Sequence, residues 1–187
     1  MQENSDISKN AKIYENNFII NSKIEDDVVL YPNNVIINST IKRGSVIYSS
    51  QIEGSVVGNN CFIGPNAHLR PDCEIDDGVK IGNFVEIKNS KIGSKSKVAH
   101  LTYIGDSVVG ENCNFGCGVV VCNFDGKQKH KTTIGDNVFV GSNANLIAPI
   151  KIGDNCFIAA GSTITKDLQP NCFSIERAEQ KIKPKRE

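Results

Sequence analysis

The chain has 187 residues, with 21 Lys+Arg against 21 Asp+Glu, seven Cys, three His, one Met and no Trp. That length suits one domain or an elongated array of repeats, and 39% hydrophobic with 22% charged residues is neither a disordered nor a membrane composition. Formal neutrality removes the broad electrostatic case for nucleic acid, and aromatics at only 6% leave a narrow interior packed by smaller groups.

In chain order, the first twenty residues carry no basic-then-apolar leader pattern, and no apolar run long enough to span a membrane follows. Together with an odd cysteine number this argues against a disulfide framework and predicts a cytoplasmic chain with reduced thiols. Residues 1–12 read as frayed. A weak series then begins: Ile24, Leu30, Ile36, Ile41, Ile47 and Ile52.

From Val57 onward the series sharpens to one aliphatic every six positions, through Ile63, Leu69, Ile75, Ile81 and Ile87. After one short step it resumes at Ile92, Val98 and Ile104, and after a second at Val109, Phe115 and Val121. Gly repeatedly follows the aliphatic, as in Ile81-Gly82 and Ile104-Gly105, and a small or β-branched residue stands four positions after it. A period of six is neither an amphipathic helix nor a simple alternating strand. It fits a triangular coil in which each hexapeptide makes one short strand and one corner, and successive turns stack as parallel strands about 4.8 Å apart. Gly and Asn relieve the backbone at corners.

This pattern assigns most of the cysteines. Cys61, Cys73, Cys113 and Cys156 fall in the small inward slot and read as compact core fillers; Cys117, Cys122 and Cys172 fall outside it. Cys113, Cys117 and Cys122 lie close in sequence but lack the paired spacing of a zinc site, so no metal is expected.

Two segments depart from the repeat. The first is Ala99-His100-Leu101-Thr102-Tyr103, where His, Thr and Tyr replace the usual Gly and Asn corner. An imidazole is the natural general base near neutral pH, although an isolated His more often only caps a corner. Glu86 and Lys88 lie about one turn below, suited to orient a ring and to bind an anion. The second is an ejected loop at about 122–133, with a tight turn at Asp125-Gly126 and a cationic run of Lys127, Lys129 and Lys131. It is equally readable as a site or a solvated insertion; as a site, Lys129 is a candidate phosphate contact. Beyond the loop the series runs Ile134, Val140, Leu146, Ile152, Ile158 and Ile164 until Asp167-Leu168-Gln169-Pro170 stops it. This gives a coil over 13–168 and a polar C-terminal arm over 169–187. A zinc carbonic anhydrase on such a coil would need converging histidines, whereas His68, His100 and His130 are each roughly thirty residues apart.

Several strings lie where the hexapeptide pattern leaves residue choice free: Leu69-Arg70-Pro71, Gly82-Asn83-Phe84-Val85-Glu86-Ile87-Lys88, His100-Leu101-Thr102-Tyr103-Ile104-Gly105-Asp106, Cys122-Asn123-Phe124-Asp125-Gly126, Val138-Phe139-Val140-Gly141-Ser142 and Ile158-Ala159-Ala160-Gly161. Over roughly 55–180 the chain resembles the C-terminal acetyltransferase domain of the bacterial bifunctional N-acetylglucosamine-1-phosphate uridyltransferase/glucosamine-1-phosphate acetyltransferases.

The resemblance implies an all-β, left-handed parallel β-helix, a homotrimer, that acetylates glucosamine 1-phosphate from acetyl-CoA for UDP-N-acetylglucosamine and cell-envelope precursors. It implies His100 as general base with Glu86 orienting it, and Arg70, Lys88, Tyr103 and Asn114 around the sugar phosphate. Cys117, Asn123, Phe124, Ser142, Ala160 and Arg177 would line the acetyl-CoA site. The chain departs from the family at Phe124, usually Tyr, at His68, often Arg, at Cys117, usually Ala, and in a tail without Trp. No uridyltransferase domain or Gly-rich nucleotide loop is readable near its start, so the expectation is a stand-alone acetyltransferase or half of a split system with a separate uridyltransferase as partner. Neither nucleic acid nor membrane is an expected partner. The competing readings are an acyltransferase for another amino sugar or nucleotide sugar, and a structural or regulatory coil without catalysis. Retention of Arg70, Lys88, Tyr103 and Asn114 speaks against the first, and His100 with Asn114 and Asn123 against the second.

Overall fold

The computed structural model describes residues 1–184. Among them no helix occurs; the strands run from β1 (Gln2–Glu3) to β29 (Phe173–Ser174), each two to four residues long. They form three all-parallel sheets, which we term the first, second and third faces. The first holds ten strands from Gln2–Glu3 to Thr163–Ile164, the second nine from Asp6–Ile7 to Ile150–Ile152, and the third ten from Lys12–Ile13 to Phe173–Ser174. Every third strand in sequence pairs with its predecessor on the same face, so the chain winds as a three-sided parallel β-helix of about ten turns.

The hexad series is the core. Ile81, Ile87 and Ile92, one from each face, are fully buried and belong to a single apolar cluster running the length of the coil. In-register stacking, such as Ile63 on Ile81 on Val98, sets like side chains directly above one another. Each buried aliphatic contributes about 1.5–3 kcal/mol on an area basis. The corners rely on residues that tolerate the left-handed region: Asn60, Asn66, Asn112, Asn137 and Asn155 all have φ between 53° and 57°. Stacked Asn corners also bond to each other, as in Asn137 Nδ2 to Asn155 Oδ1 at 3.2 Å.

The small inward slot does more than fill space. Cys61, Cys73, Cys113 and Cys156 are buried, and each thiol points to a backbone carbonyl on the next turn: Cys113 Sγ donates to Gly135 O at 3.1 Å and Cys156 Sγ to Gln169 O at 3.1 Å. Ser45 and Ser96 have the same role on the preceding turns, their hydroxyls accepting from the amides of Cys61 and Cys113 at 2.9 Å. Burial pushes the Cys61, Cys73 and Cys113 thiols above the ordinary cysteine range.

Three expectations about boundaries change. Residues 1–12 are not frayed: Gln2–Glu3, Asp6–Ile7 and Lys12–Ile13 pair with the strands of the following turn. Over the turns that follow, the repeat is faint because the small slot is partly polar. Asn17 and Asn34 are buried in it, Asn17 Oδ1 accepting from Asn34 N at 3.0 Å and Asn34 Oδ1 from Ser50 N at 2.8 Å. The coil also does not end at 168, since Phe173–Ser174 pairs with Phe157–Ile158 beyond the bend at Pro170. Only after Ser174 does the chain leave the coil; positions 185–187 of the expected arm lie outside the described residues. Finally, Cys122 closes the strand Val120–Cys122 and Thr132 opens Thr132–Ile134, so the ejected loop is 123–131.

Candidate functional site

The corner between the third and first faces carries the residue the sequence marks as a base. His100 ends the strand Lys97–His100, and its ring is exposed. Because Val98, Phe115, Val140 and Ile158 stack in register, the residues two positions after each of them form a column: His100, Cys117, Ser142 and Ala160. Backbone bonds tie this column to the corner above it. Gly118 N donates to His100 O at 3.3 Å, Asn143 N to Cys117 O at 2.8 Å and Gly161 N to Ser142 O at 2.8 Å. At the end of the series no further corner amide follows Ala160; Arg177 Nη1 donates to Ala160 O at 2.8 Å instead. Four residues far apart in sequence thus form one strip, three turn spacings or about 14 Å long, capped by a guanidinium.

The corner positions beside His100 are unusual. Phe84 and Leu101 occupy the left-handed region with φ of 55° and 47°, where other turns place Asn, Ser or Gly, and both are 59% exposed. A bulky side chain there costs about 1–2 kcal/mol, without gaining burial within this chain.

The first face carries a charged cluster next to that corner. Glu86 stacks on Tyr103 and Lys88 on Gly105, while Arg70 Nη1 donates to Glu86 Oε1 at 2.9 Å. Gly105 is required for close approach: a Cβ there would collide with the Tyr103 hydroxyl and lie 2.6 Å from Asn123 Nδ2. The space it leaves admits buried Asn123, whose Nδ2 donates to Asp106 Oδ2 at 2.5 Å and approaches Tyr103 Oη at 3.4 Å. Asp106 also accepts from Asn89 Nδ2 at 2.6 Å.

The loop folds onto this face. Phe124 and Lys129 form an antiparallel bridge, and Asp125 organises the turn by accepting from Lys127 N and Gln128 N at 2.8 Å and pairing with His130 Nε2 at 2.7 Å. Those hydrogen bonds, His130 first, hold the Asp125 carboxyl at about 2. Lys129 is brought against Lys88. Its ammonium holds Lys88 below the ordinary lysine range, burial adding to the effect, with Asp106 opposing and Arg70 reinforcing it. Two ammonium groups and a guanidinium on one face are a ready anion site. A cleft of about 400 Å³ under the loop, lined by Asp72, Asp106, Lys91, Lys129 and His130 among others, continues from the cluster.

Not every expected contact forms. The Glu86 carboxylate is engaged by Arg70, and no hydrogen bond links it to His100 among the described residues. Asn114 lies on the third face between Lys97 and Phe139, across the corner from Arg70, Lys88 and Tyr103. Phe124 stands 58% exposed on the loop. Sequence reasoning missed Asp106 and the Asp125–His130 pair. Asp106 closes the string that begins at His100, but its spacing is that of any corner residue; the pair needs a fold across the turn to be seen. Among the described residues no group of three or more His, Cys, Asp or Glu is arranged to hold a metal ion, and no helix is long and apolar enough to cross a membrane.

The model of the bacterial transferase hexapeptide (six repeats) matches residues 54–89 and 131–166. The chain is 57% identical over 131 residues to the bifunctional protein GlmU of Caldicellulosiruptor saccharolyticus, which covers 70% of this chain and 28% of that protein. It is 55% identical over 135 residues to the bifunctional protein GlmU of Streptococcus uberis, covering 72% of this chain and 30% of that protein. The chain therefore spans less than a third of the length of these curated relatives. Among solved structures, a UDP-N-acetylglucosamine O-acyltransferase from Moraxella catarrhalis aligns over 89% of this chain and 68% of its own, with a TM-score of 0.50 and 22% identity. The Arabidopsis UDP-N-acetylglucosamine acyltransferase aligns over 92% and 69%, with a TM-score of 0.50 and 15% identity. Those likenesses are of fold.

Proposed function

We propose that this chain is a bacterial hexapeptide-repeat transferase, and that it moves an acetyl group from acetyl-CoA to the amino group of glucosamine 1-phosphate. The observation that carries the proposal is the meeting of Arg70, Lys88 and Lys129 on one face, beside a corner that presents His100. A phosphate monoester answers that charge, and it relieves the repulsion between the two lysines.

In this reading the three cations hold the phosphate, and Tyr103 bounds the sugar. His100 accepts the proton that the amine loses as its nitrogen attacks the acetyl carbonyl. Acetyl-CoA supplies the acetyl group already activated as a thioester. The strip from His100 through Cys117 and Ser142 to Ala160 suits an extended donor, and Arg177 at its end suits the donor's phosphates. A backbone or Asn N–H would stabilise the developing oxyanion. No covalent acyl-enzyme is needed, so Cys122 need not act as a nucleophile.

The same reading takes the chain to be a homotrimer working in the cytoplasm. Asn114 and the Arg70–Lys88 cluster sit on different faces, so they converge only if the third face of one copy meets the first face of another. Such contact would also cover the exposed Phe84 and Leu101.

Acetyl-CoA turnover, followed as released thiol, tests the proposal with glucosamine 1-phosphate against glucosamine and UDP-glucosamine. Turnover with the sugar phosphate, well above the other two, is expected. Preference for another acceptor reassigns the substrate; no turnover with any of them overturns the enzyme reading.

A further inference from the structure

We propose that Cys156 and Cys172 form a disulfide-forming modification site, acted on by low-molecular-weight disulfides, that locks the last turn of the coil in place. Phe157 and Phe173 are register partners, so the two cysteines preceding them stand on adjacent turns, at a strand spacing of about 4.8 Å. That lies within the span of about 4.4–6.8 Å that a disulfide bridges between α-carbons. The sulfurs are 3.2 Å apart, and closing to a bond of about 2.05 Å needs a movement of about 1 Å.

No other cysteine has this arrangement. Cys61 is followed in its slot by Val79 and Cys113 by Val138, both buried aliphatics, and Cys122 is paired with Ile147. The difference is also one of access: Cys156 is 1% exposed, whereas Cys172 is only half-buried.

The chemistry is thiol–disulfide exchange. The Cys172 sulfur, once deprotonated, attacks a disulfide of the glutathione type and expels one thiolate. The Cys156 sulfur, losing its own proton, then attacks the Cys172 sulfur of the mixed disulfide and expels the second. Both expelled thiolates take up the protons the protein lost. The reagent disulfide is reduced to two thiols and the protein gains one S–S bond. Burial, and the neighbouring Cys156 thiol, push the Cys172 thiol up to about 11, so the exchange is slow near neutrality and responds to abundant oxidant.

What the bond would secure is specific. Among the described residues, the strand Phe173–Ser174 pairs only with Phe157–Ile158, through Phe157 N to Cys172 O at 2.8 Å and Ala159 N to Ser174 O at 2.9 Å. The residues that follow it are anchored by Thr163 N to Glu176 Oε2 at 3.1 Å and by the Arg177–Ala160 bond. An end strand with one neighbour is where a solenoid opens first. A covalent link across that single pairing closes the opening and fixes the segment that carries Arg177. The proposal does not depend on acetyl transfer.

The test uses the full chain, incubated with oxidised glutathione at mildly alkaline pH, quenched by alkylation, digested without reduction and mapped by mass spectrometry. Expected are a loss of two hydrogens in mass, one peptide pair joined through Cys156 and Cys172, and exchange of the Phe157 and Ala159 amides slowed at least tenfold, all reversed by dithiothreitol. Cys172→Ser should abolish the joined pair and the slowing. A bond between other cysteines, a stable glutathione adduct on Cys172 beside a free Cys156, or no reaction would each overturn it.

Discussion

His100 shows how little a single side chain declares by itself. Its ring stands exposed at a corner, and what singles it out is the column below it, where Cys117, Ser142 and Ala160 repeat its place on successive turns. If it is the base, His100→Ala lowers kcat by about 10²–10⁴-fold while leaving sedimentation and the far-ultraviolet spectrum unchanged; a near-normal rate removes it from the mechanism. Gly105 matters for the opposite reason, since having no side chain lets Tyr103 and Asn123 come together above it. Both residues lie in strings that the sequence marked. The diversion of Glu86 to Arg70 was not legible, because Glu86 pairs with a residue on the preceding turn rather than with one reached along the strand.

At the scale of elements, the ejected loop takes its conformation from its own polar contacts rather than from stacking. Asp125 gathers two backbone amides and His130, and that turn sets Lys129 against Lys88. Because these bonds depress the Asp125 carboxyl to about 2 from an ordinary value near 3.8, their stabilisation is fully present above pH 4. It is lost as pH falls from about 4 through about 2. The Lys127 and Gln128 amides should therefore lose protection from hydrogen exchange in that window, while the Ile81 and Ile104 amides in the strands keep theirs. Equal loss at both places would mean that the loop has no local latch. The sequence announced the loop through its broken period and Asp-Gly turn. Lys129 was already the candidate phosphate contact of that loop, but its place against Lys88 could not be read there, since direction across a turn is set by the partner it folds upon.

At the scale of the molecule, the coil is a stack of nearest-neighbour contacts, in which each turn buries its aliphatics only against the turns above and below. The outer faces are left free to carry chemistry. If acceptor groups stand on two of them, as proposed, there is a measurable consequence. Arg70→Ala and Asn114→Ala should each be nearly inactive alone, yet co-expressed they should regain activity, with about a quarter of all interfaces intact under random assembly of a cyclic trimer. A mixture as inactive as its separate components would place both residues in one subunit's site or in none.

The all-β, three-sided coil followed from the sequence alone, because a period of six with an inward aliphatic and a small slot admits few other packings, and one residue per hexad is enough to betray it. Residues 1–12 escaped that reading, and the turns after them read only weakly because Asn17 and Asn34 satisfy the backbone there with polar ladders, which carry no hydrophobic signal. Which candidate residues meet, by contrast, was decided by the tertiary structure. Register between turns, interrupted by short steps and one loop, determines whether residues share a column or a face. It joins His100 to Ala160 and Lys88 to Lys129, and it keeps Asn114 apart from Arg70. Periodicity specifies what points inward; only the stacked coil specifies what stands next to what on the outside.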